Sequence, residues 1–166
     1  MLPESLKDNS IAAAVEGALP TALEDAKFGH GELTLEIVPS SVVEVCRFLK
    51  DQQGFERLST VTAVDRYPAE PRFEVVYHLH SVSRNLRVRL KCRLAGDGPR
   101  IDSVTGVWRA ANWYEREVYD LFGIVFRGHP NLRRILLPDN WVGHPLRKDY
   151  PVHGYKYSYA EPEAES

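Results

Sequence analysis

A strict alternation of apolar and basic residues between Asn85 and Leu94 constrains the fold of this chain more than any other feature. The apolar members are Leu86, Val88, Leu90, Cys92 and Leu94, and the basic members between them are Arg87, Arg89, Lys91 and Arg93. Because successive side chains of a β-strand point to opposite faces of a sheet, this segment predicts a strand with one buried face and one basic face.

Further strands and helices are predicted on both sides of this segment. The alternating or β-branched stretches that predict strands are residues 33–37, 55–64, 72–82 and 101–108. Residues 81–85 are short enough to join two strands as a hairpin. Ser10 is expected to cap a helix over residues 11–19, and Ser41 with Glu44 to form a capping box for a helix that ends near Gly54. Together these elements predict an α+β fold of two layers, in which helices pack on a mainly antiparallel sheet and a long extended arm follows.

Residues 112–123 predict a third helix, with Asn112 and Glu115 as a capping box and Gly123 as the left-handed C-terminal cap. Its apolar face consists of Tyr114, Val118, Leu121 and Phe122, and its charged residues are Glu115, Arg116, Glu117 and Asp120. Because the charged residues lie largely off the apolar face, we interpret them as surface or interface charges, with Arg116 and Asp120 paired at i, i+4. No histidine lies at the helical offset that would complete a metal site.

The residues after this helix have no helix or strand period, although they are rich in Leu, Ile, Trp and Tyr. Prolines at 130, 138, 145, 151 and 162 prevent a continuous helix. Ordering each residue costs about 1–2 kcal/mol of backbone entropy, so the segment must pack against something. It could fold back over its own sheet, but Tyr, Trp and Arg are typical interface anchors and favour a partner. We therefore predict a core domain over residues 1–126 and an extended arm over 127–166 that packs on a partner subunit.

Composition excludes several classes of protein. The chain has 166 residues, which fits one domain, and a net charge of −2, which gives no broad attraction to nucleic acid. Cys46 and Cys92 are interpreted as reduced core thiols, and two cysteines cannot supply the four thiolates of an iron–sulfur cluster. The N-terminal residues lack the features of a signal peptide, and no apolar run reaches the length of a membrane span. We expect a cytosolic chain that associates with a membrane only through a partner.

Catalytic and nucleic-acid interpretations receive weaker support from the sequence. The histidines at 129, 144 and 153 have no short spacing typical of local metal ligands, so hydrogen bonds to backbone or to a partner are expected. No nucleophile elbow, phosphate loop or zinc-protease motif is present. The basic strand 87–93 could bind nucleic acid, but no aromatic residues interleave with it. We favour a solvated sheet face paired with carboxylates such as Glu74.

The segments around the third helix closely resemble the signature of the C subunit of NADH–quinone oxidoreductase, the thirty-kilodalton subunit family of respiratory complex I. These segments are Glu115–Glu117, Asp120–Ile124, Gly128–Pro130, Leu132–Leu136 and Gly143–Pro151. The resemblance covers about forty residues in order and spacing, and the sequence resembles the unfused bacterial form of the family. It implies a non-catalytic assembly subunit of the peripheral arm of a proton-translocating complex.

The resemblance also implies where the chemistry of such a complex resides. Electrons would pass from NADH to quinone through FMN and iron–sulfur clusters in other subunits, with no catalytic residue, cofactor or metal on this chain. The expected partners are the D subunit of the complex, with the B and I subunits nearby, and no nucleic acid. The complex would place the chain at the cytoplasmic face of the bacterial inner membrane. Related subunits of membrane-bound hydrogenases and of the ferredoxin-linked photosynthetic complex are not separated by the signature.

The resemblance further implies roles for residues of the signature. Those expected to position the helix are Glu115, Arg116, Glu117 and Asp120. Those expected to make charged contacts with the D subunit are Arg133, Arg134, Arg147, Lys148 and Asp149. The expected aromatic anchors are Trp141, Tyr150 and Tyr155. The other interface positions of the signature are Phe122, Gly123, His129, Pro130, His144, Pro145 and Pro151.

Overall fold

The computed structural model describes Leu6 and residues 8–151 and confirms the predicted α+β class. The helices are α1 (Ser10–Ala18), α2 (Val42–Asp51) and α3 (Ala111–Phe122), and a 3-10 turn at Pro39–Ser41 precedes α2. The strands are β1 (Leu23–Gly29), β2 (Glu32–Ile37), β3 (Arg57–Asp65), β4 (Phe73–Ser81), β5 (Leu86–Leu94), β6 (Arg100–Asp102) and β7 (Val125–Arg127).

Five strands form the main sheet, in the order β1-β2-β5-β4-β3. Neighbours are antiparallel except for β2 and β5, which are parallel. The predicted hairpin is confirmed, because Ser81 at the end of β4 lies opposite Leu86 at the start of β5. Strands β6 and β7 form a separate parallel pair that joins the segment before α3 to the segment after it.

One face of the main sheet carries the hydrophobic core. The apolar positions Val88, Leu90 and Cys92 of β5 are fully buried and belong to one cluster with buried residues of all three helices. Cys46 of α2 is a free buried thiol, as is Cys92, in agreement with the prediction. Burial raises the pKa of both thiols, so they stay protonated at neutral pH.

The opposite face of the sheet is polar, and Arg89, Lys91 and Arg93 of β5 are paired on it with carboxylates. Lys91 contacts Glu74 across the β4–β5 pair at 3.0 Å, and Arg93 contacts Glu36 of β2 at 3.2 Å. Arg89 is paired with Glu32. These contacts confirm the prediction of a solvated face on which basic residues pair with carboxylates across strands.

The element ends differ from the predictions in several places. Asn9, rather than Ser10, caps α1, because its Oδ1 accepts hydrogen bonds from the N–H groups of Ile11 and Ala12. The 3-10 turn before α2 holds Ser41 at ψ 2°, outside the extended conformation that a capping side chain needs, so no capping box with Glu44 forms. Helix α2 ends at Asp51, and its cap residue is Gln52 rather than Gly54.

Two strand predictions were also incomplete. Strand β1 was not predicted, and its sequence LEDAKFG alternates poorly because it forms an edge of the sheet. Of the stretch 101–108, only the first two residues are in a strand, since a turn begins beyond Val104. Among the helices of the described residues, none is long and apolar enough to cross a lipid bilayer.

Candidate functional site

Helix α3 buries three of its charged residues. Glu115 and Asp120 are completely buried and Arg116 nearly so, whereas Glu117 is exposed. The prediction of surface or interface charges is therefore wrong for these three residues. Two chain segments cause the burial: the turn after β6 covers Glu115, and residues 133–147 cover Arg116 and Asp120.

The carboxylate of Asp120 anchors the segment after β7. Its Oδ2 accepts hydrogen bonds from three successive backbone N–H groups, those of Ile135, Leu136 and Leu137, at 2.8–3.0 Å. Its Oδ1 accepts a bond of 2.7 Å from Arg134. Burial alone would raise the pKa of Asp120, but these donors outweigh it and lower the pKa, so the group is an anion at neutral pH.

Two arginines complete this anchor from opposite sides. Arg116 donates to the carbonyl oxygens of Arg133 and Arg134 at 3.1 and 3.0 Å. Arg134 donates to Asp120 and also to the carbonyl oxygen of Gly143 at 3.1 Å. Helical spacing predicted an ion pair between Asp120 and Arg116, and this prediction is wrong. The ion pair of Asp120 is with Arg134. A single buried carboxylate and two guanidinium groups therefore fix three parts of the irregular segment.

The C-terminal carbonyl groups of α3 are satisfied by the same segment. The carbonyl oxygens of residues 120, 121 and 122 accept hydrogen bonds from His144 Nδ1, the N–H of Leu146 and Arg147 Nε, respectively. These carbonyl groups have no partner within the helix, and a cation near them also interacts favourably with the helix dipole. Residues 144–147 therefore cap α3, because they supply the hydrogen-bond donors that a further turn of the helix would have supplied.

Gly123 makes this close approach possible. It ends α3 with φ 72°, as predicted for a left-handed cap. A Cβ at this position would lie 2.5 Å from Cδ2 of His144 and 2.7 Å from a guanidinium nitrogen of Arg147. Glycine is therefore required both by the backbone conformation and by the packing of the capping residues.

A second anchor lies near the end of the described chain. Arg72, which is nearly buried, donates to both carboxylate oxygens of Asp65 and to both of Asp149 at 2.7–2.9 Å. The N–H of Lys148 also donates to Asp65, at 2.8 Å. Hydrogen bonds from Arg72 lower the pKa of Asp65 and of Asp149. This network ties residues 148 and 149 to the loop between β3 and β4.

Glu115 has a different environment from that of Asp120. Its oxygens accept hydrogen bonds from Ser103 Oγ at 2.6 Å and from the N–H of Val104 at 2.7 Å. Burial raises its pKa to about 7, and the two hydrogen bonds only partly oppose the shift. The predicted capping box is wrong, because α3 begins at Ala111 and its cap residue, Ala110, has helical dihedral angles.

The two histidines of the Gly-His-Pro units bind backbone atoms, which confirms one of the expected roles. His129 accepts from the N–H of Asn131 through Nδ1, so Nε2 carries the proton and donates to the carbonyl oxygen of Asn112 at 3.2 Å. His144 donates through Nδ1, and burial lowers its pKa and keeps it neutral. His153 and Tyr155 lie outside the described residues. Within the described part of the chain, no three His, Cys, Asp or Glu residues are grouped to hold a metal.

The other residues of the signature differ in exposure. Arg133, Lys148, Pro130 and Pro151 are exposed, and Phe122 is buried. Trp141 and Pro145 are half-buried, and the indole N–H of Trp141 is buried without a hydrogen-bond partner among the described residues. The hydroxyl of Tyr150 donates to the carbonyl oxygen of Val142. The contacts of these side chains with a partner subunit stay a prediction.

Exposed apolar side chains on the same surface were missed by the sequence reasoning. The most exposed are Trp113 of α3 and Leu136 of the anchored segment, with 62% and 61% of their surface accessible. Val142 and Leu146 are about half exposed. The residue pattern could not identify Leu136, Val142 and Leu146, because irregular backbone has no period from which exposure can be inferred. Trp113 is in α3 but lies off the apolar face that the helical period defines.

Comparison with known proteins places this geometry in a family. Residues 35–156 match the family described as respiratory-chain NADH dehydrogenase, 30 Kd subunit. The chain is 49% identical over 145 residues to a C subunit of NADH-quinone oxidoreductase from Rhizobium meliloti (strain 1021), a match that covers 86% of this chain and 79% of the relative.

Two solved structures are similar in fold. The trypsin-resistant fragment (1-134) of Nqo5 has a TM-score of 0.64 and 32% identity, and covers 74% of this chain and 98% of that fragment. A chain of the archaeal membrane-bound sulfane sulfur reductase, a respiratory membrane complex, has a TM-score of 0.79 and 27% identity, with coverage of 96% and 95%. The signature, the fold and these relatives agree, and the chain belongs to the 30 Kd subunit family of respiratory-chain NADH dehydrogenase.

Proposed function

We propose that this chain is a non-catalytic assembly subunit of the peripheral arm of a proton-translocating NADH:quinone oxidoreductase. In this proposal FMN and the iron–sulfur clusters belong to other subunits, and this chain binds no cofactor and has no active site. The naming of its relatives as C subunits of NADH-quinone oxidoreductase supports the complex. The use of Asp120, Arg116 and Arg134 as internal anchors supports a structural role for these residues.

One observation supports docking through the anchored segment. Exposed large apolar side chains are concentrated between residues 113 and 146, on α3 and on the segment that Asp120 holds. Exposed apolar side chains are costly in water, and a group of them is typical of a protein interface, in which aromatic residues and arginine act as anchors. We propose the D subunit of the complex as the partner at this surface, with the B and I subunits nearby.

The charged residues of the signature divide into two groups under this proposal. Arg134, Arg147 and Asp149 bind atoms of their own chain, so they shape the surface. Arg133 and Lys148 are exposed, so their charges can meet carboxylates of the partner. The complex would hold the chain at the cytoplasmic face of the bacterial inner membrane.

A related complex is a second candidate. The fold similarity to a chain of the sulfane sulfur reductase extends over nearly the whole of both chains. An equivalent subunit of a related membrane-bound complex, such as a hydrogenase or a ferredoxin-linked complex, would use the same docking surface. The higher identity to the NADH-quinone oxidoreductase relative favours the first candidate.

Co-purification from the native host tests the proposal. A tagged chain is isolated from gently solubilised membranes beside a Leu136→Asp variant and a matched Phe28→Asp variant. Leu136 and Phe28 are similarly exposed, at 61% and 58%, but Phe28 lies on β1 at the edge of the main sheet. We expect the wild type and Phe28→Asp to bring down flavin and iron–sulfur subunits with NADH–quinone activity, and Leu136→Asp to lose them.

The result also decides between the two candidates. If the wild-type chain co-purifies with hydrogenase or ferredoxin-linked subunits instead of NADH-oxidising ones, the second candidate complex is established. Recovery of the wild-type chain alone, or equal recovery of the complex with Leu136→Asp, would overturn docking at this surface.

A further inference from the structure

Some basic residues on the polar face of the main sheet form ion pairs with carboxylates, and others do not. At the end of β5 away from the β4–β5 hairpin, Lys91 and Arg93 are matched by Glu74 and Glu36. At the hairpin end, Arg57, His80 and Arg87 lie side by side on β3, β4 and β5, in direct register. Among the described residues, neither Arg57 nor Arg87 forms an ion pair, and both are exposed. The two arginines at this end of the face therefore lack the direct ion pairs that Lys91 and Arg93 have.

The central residue of this row has an unused hydrogen-bonding atom. Nε2 of His80 is buried and has no hydrogen-bond partner among the described residues. Burying a polar atom without a partner is unfavourable, so a group that reached this atom, whether water or a ligand, would be bound favourably. The carboxylate of Glu56 lies near enough to His80 to interact with it electrostatically, but its direct hydrogen bonds are with the N–H groups of Val82 and Ser83.

A depression of about 320 Å³ adjoins the row. Arg87, His78 and the residues Ser59 and Thr60 line it, together with the carboxylate of Glu32. Glu32 is already paired with Arg89 and lies 3.7 Å from His78. The depression thus offers hydroxyl and cationic donors, with its one carboxylate neutralised by a neighbour.

We propose that the Arg57–His80–Arg87 row and the adjoining depression bind an acidic, extended segment of a partner protein. Strands in a sheet lie about 4.8 Å apart, so the row spans about 10 Å. Alternate side chains of an extended segment are about 7 Å apart. Because arginine side chains are long and flexible, two such carboxylates can each reach one of the two arginines. Carboxylate–guanidinium bonds of this kind are the strong, geometrically specific ones.

Nucleic acid fits this face less well. The outward positions of β3, β4 and β5 carry no Phe, Tyr or Trp on which bases could stack. Glu32 and Glu74 interrupt the positive surface and would repel a continuous phosphate backbone. The separate carboxylates of an acidic segment can instead lie opposite Arg57 and Arg87, away from Glu32 and Glu74.

Fluorescence anisotropy with the full chain and a labelled peptide of alternating Glu and Ser tests the proposal at low salt. The test variant is Arg57→Glu with Arg87→Glu, and the matched control is Arg47→Glu with Arg100→Glu. Arg47 and Arg100 are exposed on α2 and β6, away from the row, and both pairs change the net charge equally. We expect binding to weaken by about tenfold or more in the test variant and to stay within about twofold in the control.

Four outcomes would overturn the proposal. One is no binding of the peptide by the wild type, and another is equal loss in the two charge-reversed pairs. The third is tighter binding of a single-stranded RNA of equal length that depends on Arg57 and Arg87. A shift of the His80 imidazole signals in NMR when the peptide is added to the wild type is also expected, and its absence would exclude the row as the site. None of these residues belongs to the docking surface around Leu136, so this test and the co-purification can fail independently.

Discussion

Two carboxylates of helix α3, Glu115 and Asp120, are completely buried, yet their pKa values move in opposite directions. Burial raises the pKa of both groups. Asp120 accepts three backbone N–H bonds and one from Arg134, which outweigh burial, whereas Glu115 accepts two hydrogen bonds from neutral donors, which do not. The number and charge of the donors therefore decide which form of each carboxyl group the fold prefers.

The raised pKa of Glu115 predicts a pH-dependent stability. Between the ordinary value of 4.5 and about 7, the folded chain holds a proton on Glu115 that the unfolded chain has lost. The stabilising contribution is therefore complete below pH 4.5 and is lost as pH rises to about 7, a change of roughly 3 kcal/mol in the free energy of unfolding. We expect Glu115→Gln to remove this dependence, as measured by urea unfolding at several pH values from 5 to 8.

Glu117→Gln is the matched control, because Glu117 lies on the same helix but is exposed. Its stability should fall with pH as steeply as that of the wild type. Equal slopes for the wild type and Glu115→Gln would contradict the assignment of the raised pKa to Glu115.

Among the elements, the sheet was more predictable than the ends and surroundings of the helices. The alternation in β5 predicted its buried face and a basic face with carboxylate partners such as Glu74, because residues two apart on a strand share a face. The further pairs with β2 depend on the order of the strands in the sheet, which alternation on one strand does not determine. The burial of Asp120 depends on residues 134–137, beyond the end of α3, and no helical spacing encodes that contact. The Asn9 cap was missed because neighbouring Asn and Ser are equally good cap residues, and sequence alone did not decide between them.

The C-terminal end of α3 supplies a prediction for an element as a whole. Gly123→Ala should strain the left-handed backbone and displace His144 and Arg147 from the helix carbonyl groups. We expect a loss of about 1–3 kcal/mol in the free energy of unfolding, measured by urea denaturation, and faster trypsin cleavage after Arg134.

Gly17→Ala in helix α1 provides the comparison. No atom lies within 4 Å of the Cβ that it would add, and alanine favours a helix, so this variant should be as stable as the wild type or slightly more so. If the two glycine variants have the same stability, residues 144–147 do not cap α3 in solution.

At the scale of the whole molecule, residues 128–151 have two roles to reconcile. Hydrogen bonds from this segment reach α3, β7, the last residue of β3 and Arg72 before β4, so through Asp149 it is attached to its own chain. It also carries exposed apolar side chains suited to a partner. A preformed surface would lose less conformational entropy on docking than a segment that orders only when bound. The division into a core of residues 1–126 and a partner-bound arm stays a prediction, but intramolecular bonds cross its boundary.

Amide hydrogen exchange of the isolated chain can determine whether the segment is preformed. The N–H groups of Ile135, Leu136 and Leu137 are bound to the buried carboxylate of Asp120, so peptides covering them should be protected without any partner. Asp120→Asn replaces an anion that accepts four hydrogen bonds with a neutral amide, which can turn its oxygen to the three N–H groups only by placing its NH2 group against the guanidinium of Arg134. Exchange in these peptides should therefore become about tenfold faster or more. Peptides of β4 and β5 serve as the internal control and should keep their protection. Rapid exchange at residues 135–137 in the isolated wild type, with protection gained only in the assembled complex, would show instead that the partner orders the segment.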